Sequence, residues 1–410
     1  MKTLKNIGKI ALLSLALCGG TTSCNYLDVV PPEQASLPDA TKDPESTLGF
    51  LFSCYGGIRN PFDYQTVEAG ADEYVLPPLW NTGSQKITWD LNLPTNIADG
   101  WSWGSNYRFI GQCLLFLQQL PHARGVTDEQ KRAWAAEANF LLAYYHMVTL
   151  VAYGPCPITD TYIDQATPES EYNGRMHFDY VKDWICQKFD EVCEDGQLPA
   201  TRTGDEWGRA TSVMAKALKA RLLVYAASPL FNGSFPYKDW ENTNFETPGY
   251  GKELISLKYD RKKWEVAKAA CQEAITAAEA AGHKLFSLED AQSLYQQAGL
   301  PLPFVPFKSA EGGTADKDKE FMERVQLMRY VVTTRYKEGN RETIWGLANQ
   351  GTMIIGSLPH RVIKNNQGTW KAGYSGVSPT LNTVERFYTE NGVPIEKDNQ
   401  FYPQSEWYQS

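Results

Sequence analysis

Residues 138–159, ANFLLAYYHMVTLVAYGPCPIT, contain no Asp, Glu, Lys or Arg. A stretch that long without a charge has to be withdrawn from water on most of its sides, and its neighbours must supply the cover. Trp134, Ala138, Leu141, Tyr145, Val148 and Ala152 recur every three or four residues, the spacing of one helical face. Upstream, TDEQ offers Thr127 as a cap with Gln130 three residues on, and downstream Gly154-Pro155 stops the helix. A membrane span is the rival reading. Asn139, His146, Thr149 and the Gly-Pro stop are poor company for lipid, so the helix is expected at the centre of a protein core. On such a helix His146 reads as a hydrogen-bonded core residue.

A central helix needs others around it, and the sequence offers four. WSWGSNYRFIGQCLLFLQQLP (101–121) reads as one helix from about Ser105. MHFDYVKDWICQKFDEVCEDG (176–196), GRATSVMAKALKARLLVYAAS (208–228) and DRKKWEVAKAACQEAITAAEAAG (260–282) follow. Their alanines let backbones approach closely. The expected fold is mainly α: tetratricopeptide-like antiparallel helix pairs with minor β and a long-loop, aromatic-rich ligand face. The loops are 60–105, 229–260 and 297–320, rich in Pro, Gly, Asn and aromatic residues. Loops of that length are usually functional. YVVTTRYKE (330–338) and ETIWGLA (342–348) are read as short strands.

The N-terminus carries a different message. Lys2, Lys5 and Lys9 precede an apolar run from Ile10 to Leu17, and residues 19–23 are small or polar. This is the layout of a secretory signal peptide. Thr22-Ser23-Cys24 fits a bacterial lipoprotein signal, in which the cysteine is acylated as cleavage frees its amine. Residues 1–23 are therefore expected to be removed, leaving Cys24 as the lipid attachment site. Residues 24–38, with Pro31, Pro32 and Pro38, would form a tether, and 39–410 a single domain. Against 39 Lys and Arg stand 48 Asp and Glu, a net charge of −9 that grows more negative once the three signal lysines are gone. An acidic surface argues against nucleic acid, whose phosphates need neutralising, and against a polybasic membrane surface.

Cys54, Cys113, Cys156, Cys186, Cys193 and Cys271 show no CxxC spacing, so no zinc site is suggested. Cys186 and Cys193 on one helix would lie roughly 10 Å apart at 1.5 Å rise per residue, beyond disulfide reach. Free thiols are expected, with one long-range bridge left open. HExxH, GxSxG, GxGxxG and Walker motifs are absent, and no metal or cofactor is expected. Asp316, Asp318 and Glu320 alternate like a calcium loop but lack its glycine and distal glutamate, so they read as a solvated charge run. Asp72, Glu73, Asp90 and Asp99 offer carboxylates for glycoside hydrolysis without showing the arrangement it requires.

Sugar binding asks for flat apolar faces with polar groups at their rim. Trp80, Trp89, Trp101 and Trp103, with Asp72, Tyr74 and Asn106, supply both within a short stretch; Tyr237, Trp240, Trp370 and Tyr374 add further rings. These are the candidate ligand-binding residues.

Several segments occur in an order that is itself informative: SCNYLDVVPPE, AGADEY, AEANFLLAYYHMVTLVAYGPCPI, GRATSVMAKALKARLLVYAA, NRETIWG and SPTLNTVERFYTENGVPI. Together they make the chain resemble the SusD/RagB family of Bacteroidetes outer-membrane lipoproteins. The resemblance implies a surface-exposed, non-catalytic lipoprotein on a tetratricopeptide-like scaffold. It would capture oligosaccharides, or in some members peptides, and lid a SusC-type TonB-dependent transporter. Only Asp72, in AGADEY, has a family-like anchor among the candidate residues. Family members run on past ENGVPIE, so the resemblance also implies a C-terminal part that is missing here. IGQCLLFL, in the 101–121 helix, departs from the polar stretch more usual in the family.

Overall fold

The computed structural model describes residues 37–58, 70–77, 83–89, 93, 95, 103–164, 166–194, 197–297 and, beyond 323, stretches within 324–406. Its helices are α1 (Pro44–Tyr55), α2 (Gly83–Thr88), α3 (Trp103–Gln119), α4 (Asp128–Tyr153), α5 (Phe178–Glu191), α6 (Ser212–Ala227), α7 (Arg261–Ala280), α8 (Leu288–Gln297) and α9 (Leu381–Glu385). The strands β1 (Tyr74–Val75), β2 (Ile363–Lys364), β3 (Trp370–Lys371) and β4 (Ser378–Pro379) form two antiparallel ribbons, β1 with β4 and β2 with β3. The fold is mainly α, as expected.

Each long helix packs on the next, from α3 on α4 through to α6 on α7, and α1 lies across α3 and α4. The charge-free segment is the hub. Along α4, residues 140–143 and 145–147 are all buried, as are Thr149 and Leu150. Its polar residues are satisfied locally: Asn139 Nδ2 donates to the Ala135 carbonyl at 2.9 Å and Thr149 Oγ1 to that of Tyr145 at 2.8 Å. Among the described residues no helix is long and apolar enough to cross a membrane. Thr127 and Gln130 form a reciprocal capping box, with bonds of 3.2 and 3.0 Å.

Local chemistry explains where the helices depart from expectation. The 101–121 helix starts at Trp103, two residues early. The 208–228 segment becomes helical only at Ser212, where Thr211 caps Met214 N at 3.2 Å, because Arg209 is drawn into an ion pair upstream. The 176–196 helix ends at Glu191, which leaves Cys193 in the turn after it. Helix α1 went unread; its Pro44 sits in the first turn, where the missing N–H costs nothing, and Asp43 accepts from Ser46 N at 2.7 Å.

The two expected strands are corrections. In YVVTTRYKE the described residues Val331 and Val332 are helical, as are Arg324, Val325, Leu327 and Met328 before them; the rest of YVVTTRYKE lies outside the described residues. Residues 341–346 of the ETIWGLA region are turns and bends, because Trp345 packs on α4 rather than beside a strand: its ring stands 5.5 Å from Phe140 and 5.3 Å from Tyr144, and its Nε1 donates to the Gly208 carbonyl at 2.9 Å. All six described cysteines are free thiols.

His146 sits at the middle of the hub with no exposed surface. Nδ1 bonds the Leu142 carbonyl at 2.8 Å, and Nε2 accepts from Thr159 N at 3.1 Å, which requires the neutral ring. Burial pushes its pKa down to about 4. A folded pKa below the unfolded value near 6.5 means full stability above pH 6.5 and loss as pH falls toward 4. The expected loss is on the order of 3 kcal/mol, at about 1.4 kcal/mol per pKa unit. Thermal unfolding from pH 7.5 to 4.5 checks it; His146→Gln should make the profile in that window shallower, the remaining slope including that of buried His177, whose pKa is also pushed down to about 4.

Candidate functional site

The candidate residues divide into two places. Asp72 and Tyr74 belong to a clasp joining distant parts of the chain. Tyr74 pairs with Pro379 in the β1–β4 ribbon. The Asp72 carboxylate, half exposed, meets Arg386 at 2.8 Å and accepts from Asn382 Nδ2. Its carbonyl accepts from the hydroxyls of Thr380 and Thr383. AGADEY and SPTLNTVERFY are thus each other's partners, and the Asp72 side chain is already engaged within the chain.

The second place is the C-terminal end of α4. Trp103, at the start of α3, stands 5.0 Å from Tyr107 and 5.3 Å edge-on from Tyr153, ring centre to ring centre; its backbone N–H donates to Tyr153 Oη at 3.1 Å. The Arg175 guanidinium lies 4.8 Å over the Trp103 ring and donates to the Pro155 carbonyl at 2.6 Å. Asn242 Nδ2 donates to the Arg175 carbonyl at 2.6 Å, which ties in the 229–260 loop. Gly154 has φ 68°, and a Cβ built there would lie 3.5 Å from the Trp240 ring. Helix stop, glycine and indole therefore meet at one point. Trp240 is stacked on Phe235 at 5.5 Å, and Tyr237, 69 % exposed, stands edge-on to Phe235 at 5.8 Å.

Trp240 and Tyr237 wall a cavity of about 440 Å³ whose lining also includes Lys238, Glu241, Tyr250, Glu253 and Lys258. Glu241 and Glu253 face each other across an antiparallel bridge. Tyr250 is presented by a tight turn between Gly249 (φ 80°) and Gly251 (φ 58°), a backbone that glycine adopts without strain. Its ring stacks on His177, centres 3.8 Å apart. His177 is fully buried; Nδ1 accepts from Asp179 N at 3.1 Å, capping α5, and burial pushes its pKa down to about 4.

The structure thus gathers Trp103, Tyr237 and Trp240 around one helix end. Asp72 and Tyr74 make their contacts in the clasp with 378–386. Trp89 is exposed after α2, and Asn106 is buried on α3 with its Nδ2 lacking a hydrogen-bond partner among the described residues. Trp370 lies in β3 opposite Lys364. Cys24, Trp80, Trp101, Tyr374, Asp90, Asp99 and the 316–320 run lie outside the described residues. Sequence reasoning missed Tyr250, Glu241, Glu253 and the two lysines; an aromatic residue flanked by glycines in an aromatic loop was the available signal. Among the described residues no cluster of three His, Cys, Asp or Glu is placed to hold a metal ion.

No family model matches the chain, and neither does any curated protein. Among solved structures the chain is similar to a protein named BT4246, with 52% identity and a TM-score of 0.78 over 89% of this chain and 60% of that one. It also matches a SusD-like protein, BF3747, from Bacteroides fragilis, with 17% identity and a TM-score of 0.59 over 88% of this chain and 57% of that one. The chain has the SusD-like helical fold. It spans about three fifths of the length of these relatives. In this SusD-like chain the helical hub and the α4 terminus carry the aromatic cavity on loops that no helix pattern would have placed.

Proposed function

We propose that this SusD-like chain captures oligosaccharides at the outer surface of the cell and passes them to a TonB-dependent transporter in the outer membrane. The observation that carries the reading is the cavity at the end of α4. Trp240 and Tyr237 offer apolar faces to the C–H groups of a sugar ring, beside lysines and carboxylates able to bond its hydroxyls. The lipoprotein-like N-terminus and the family resemblance support the surface location and the transporter. Capture without hydrolysis is part of the reading.

Tyr237→Ala tests the site, because the ring is exposed and its loss should change folding stability by less than about 0.5 kcal/mol. In calorimetric titration against an oligosaccharide that binds the unaltered protein, affinity should fall about tenfold, the loss of one ring–sugar contact of roughly 1.4 kcal/mol. Unchanged affinity would place capture elsewhere. Release of new reducing ends by the pure protein would overturn a purely binding role, and co-purified peptides would redirect the reading to peptide capture.

The anchor has its own test. Cys24→Ala should move the protein from the membrane to the soluble fraction, since single-residue loss of the acylation site removes every acyl chain. Retention in membranes would contradict lipid attachment at Cys24.

A further inference from the structure

Resting on the glycan-capture reading, we propose that the Trp240 cavity accepts an uncharged, polyhydroxylated sugar unit and that Glu241 and Glu253 select it over charged glycans. The lining is balanced in sign, with Lys238 and Lys258 against Glu241 and Glu253. Among the described residues no ion pair joins these lysines to these acids. Among the described residues Glu253 has one basic group within ion-pair distance, His177 Nε2 at 4.0 Å, which has no hydrogen-bond partner there. That ring is buried and neutral at neutral pH, so it offers the half-exposed Glu253 carboxylate no counter-charge. Behind it, Asp179 is held by Lys263 at 2.8 Å and by Lys182 at 3.8 Å, and Lys182 pairs more closely with Asp183 at 2.7 Å. Lys252 is turned away, donating to the Thr243 carbonyl.

These two charges of each sign, unpaired with one another among the described residues, define what fits. A hydroxyl donates to a carboxylate and accepts from an ammonium group, so a ring carrying several hydroxyls answers both kinds of side chain at once. A uronate or sulfate would pair with Lys238 and Lys258 but stand against two carboxylates placed side by side. An unacylated amino sugar meets the opposite conflict. Trp240, fixed against Phe235, supplies the flat face for the ring's C–H groups. The cavity volume of about 440 Å³ suits a short segment of a glycan rather than a long run of it.

The test titrates the full chain, in detergent, with two sets of hexasaccharides. The neutral set is malto-, cello-, xylo-, manno- and N-acetylchito-hexaose; the charged set is hexagalacturonate and a heparin-derived hexasaccharide. At least one neutral sugar should bind saturably, with the charged set about tenfold weaker or more, since one unfavourable charge contact is worth roughly 1.4 kcal/mol. Trp240→Ala should abolish that binding. Glu241→Gln with Glu253→Gln should weaken the neutral sugar about tenfold, the loss of charge-assisted hydrogen bonds, and strengthen the charged set. Tighter binding of a charged sugar, lost in Trp240→Ala, would overturn the charge selection while leaving glycan capture standing. Neutral binding indifferent to Trp240 and to both glutamates would likewise overturn this site alone. Silence from both sets, with protein shown to be folded, would overturn the capture reading and this inference together.

Discussion

Glu137→Ala should lower the unfolding free energy by about 3–5 kcal/mol, the usual result of removing one partner of a buried ion pair. Glu137 has no exposed surface, and it lies on α4 between two arginines. Its Oε1 accepts from Arg202 Nη2 at 2.9 Å and from Arg209 Nη2 at 2.5 Å. Oε2 accepts from Arg209 Nε at 3.1 Å and from Tyr55 Oη at 2.6 Å, and Tyr55 Oη in turn accepts from Ala210 N at 2.9 Å. One carboxylate thus joins α1, α4 and the segment leading into α6. Without it, two nearly buried guanidinium groups keep their charge and lose their counterion. Glu206 offers a control: it pairs with the same arginines, but its side chain is 55% exposed, so Glu206→Ala should cost no more than about 1 kcal/mol. Urea unfolding of both variants measures the difference. A Glu137→Ala loss within 1 kcal/mol would mean water reaches the arginines and the network is open. Because the groups act as a unit, Glu137→Ala and Arg209→Ala should be far from additive.

The helical hub was legible in the sequence because its signals are local. Charge is absent from 138–159, period 3.6 is continuous and the capping box is contiguous, so no distant partner had to be known. Glu137 was not legible in the same way. A glutamate at the edge of an apolar helix reads as solvent-facing, and its partners, Arg202 and Arg209, lie more than sixty residues away. The misread strands fail for the related reason that β-branched and aromatic residues favour a strand only where a neighbouring strand exists to pair with. Val331 and Val332 follow helix formers, and Trp345 found a helical surface.

The candidate site was legible in composition and not in geometry. Aromatic loops announced themselves, and two members of the list, Tyr237 and Trp240, do wall a cavity. Which rings converge was decided by Gly154 and by Arg175, whose guanidinium covers Trp103 and whose carbonyl holds Asn242 of the 229–260 loop. Asp72 shows the opposite case. A carboxylate in a family-like segment reads equally as a ligand group or a structural one, and its pairing with Arg386 and Asn382, from the far end of the chain, is visible only in the structure.

Phe140→Ala should cost about 3–5 kcal/mol, the range for truncating a buried aromatic residue. Phe140 has no exposed surface; its ring lies 5.8 Å from Phe189 on α5 and 5.5 Å from Trp345. Trp345 also meets Tyr144 edge-on at 5.3 Å and hydrogen-bonds the Gly208 carbonyl, so it is one of the points that hold the 340–346 segment, beside Arg341 and Glu342, which bond residues 283–286. The truncation therefore acts twice, opening a cavity inside the hub and removing the surface on which Trp345 rests. Phe140→Leu keeps most of the volume and should cost less than about 1.5 kcal/mol. Amide exchange separates the two effects: in Phe140→Ala, residues 340–346 should exchange faster than the α4–α5 contact, whereas in Phe140→Leu both should stay protected. Combined with Trp345→Ala, Phe140→Ala should cost less than the sum of the single losses, because both remove the same contact. Strict additivity would show that Trp345 is held by its hydrogen bond to Gly208 and not by the ring beneath it.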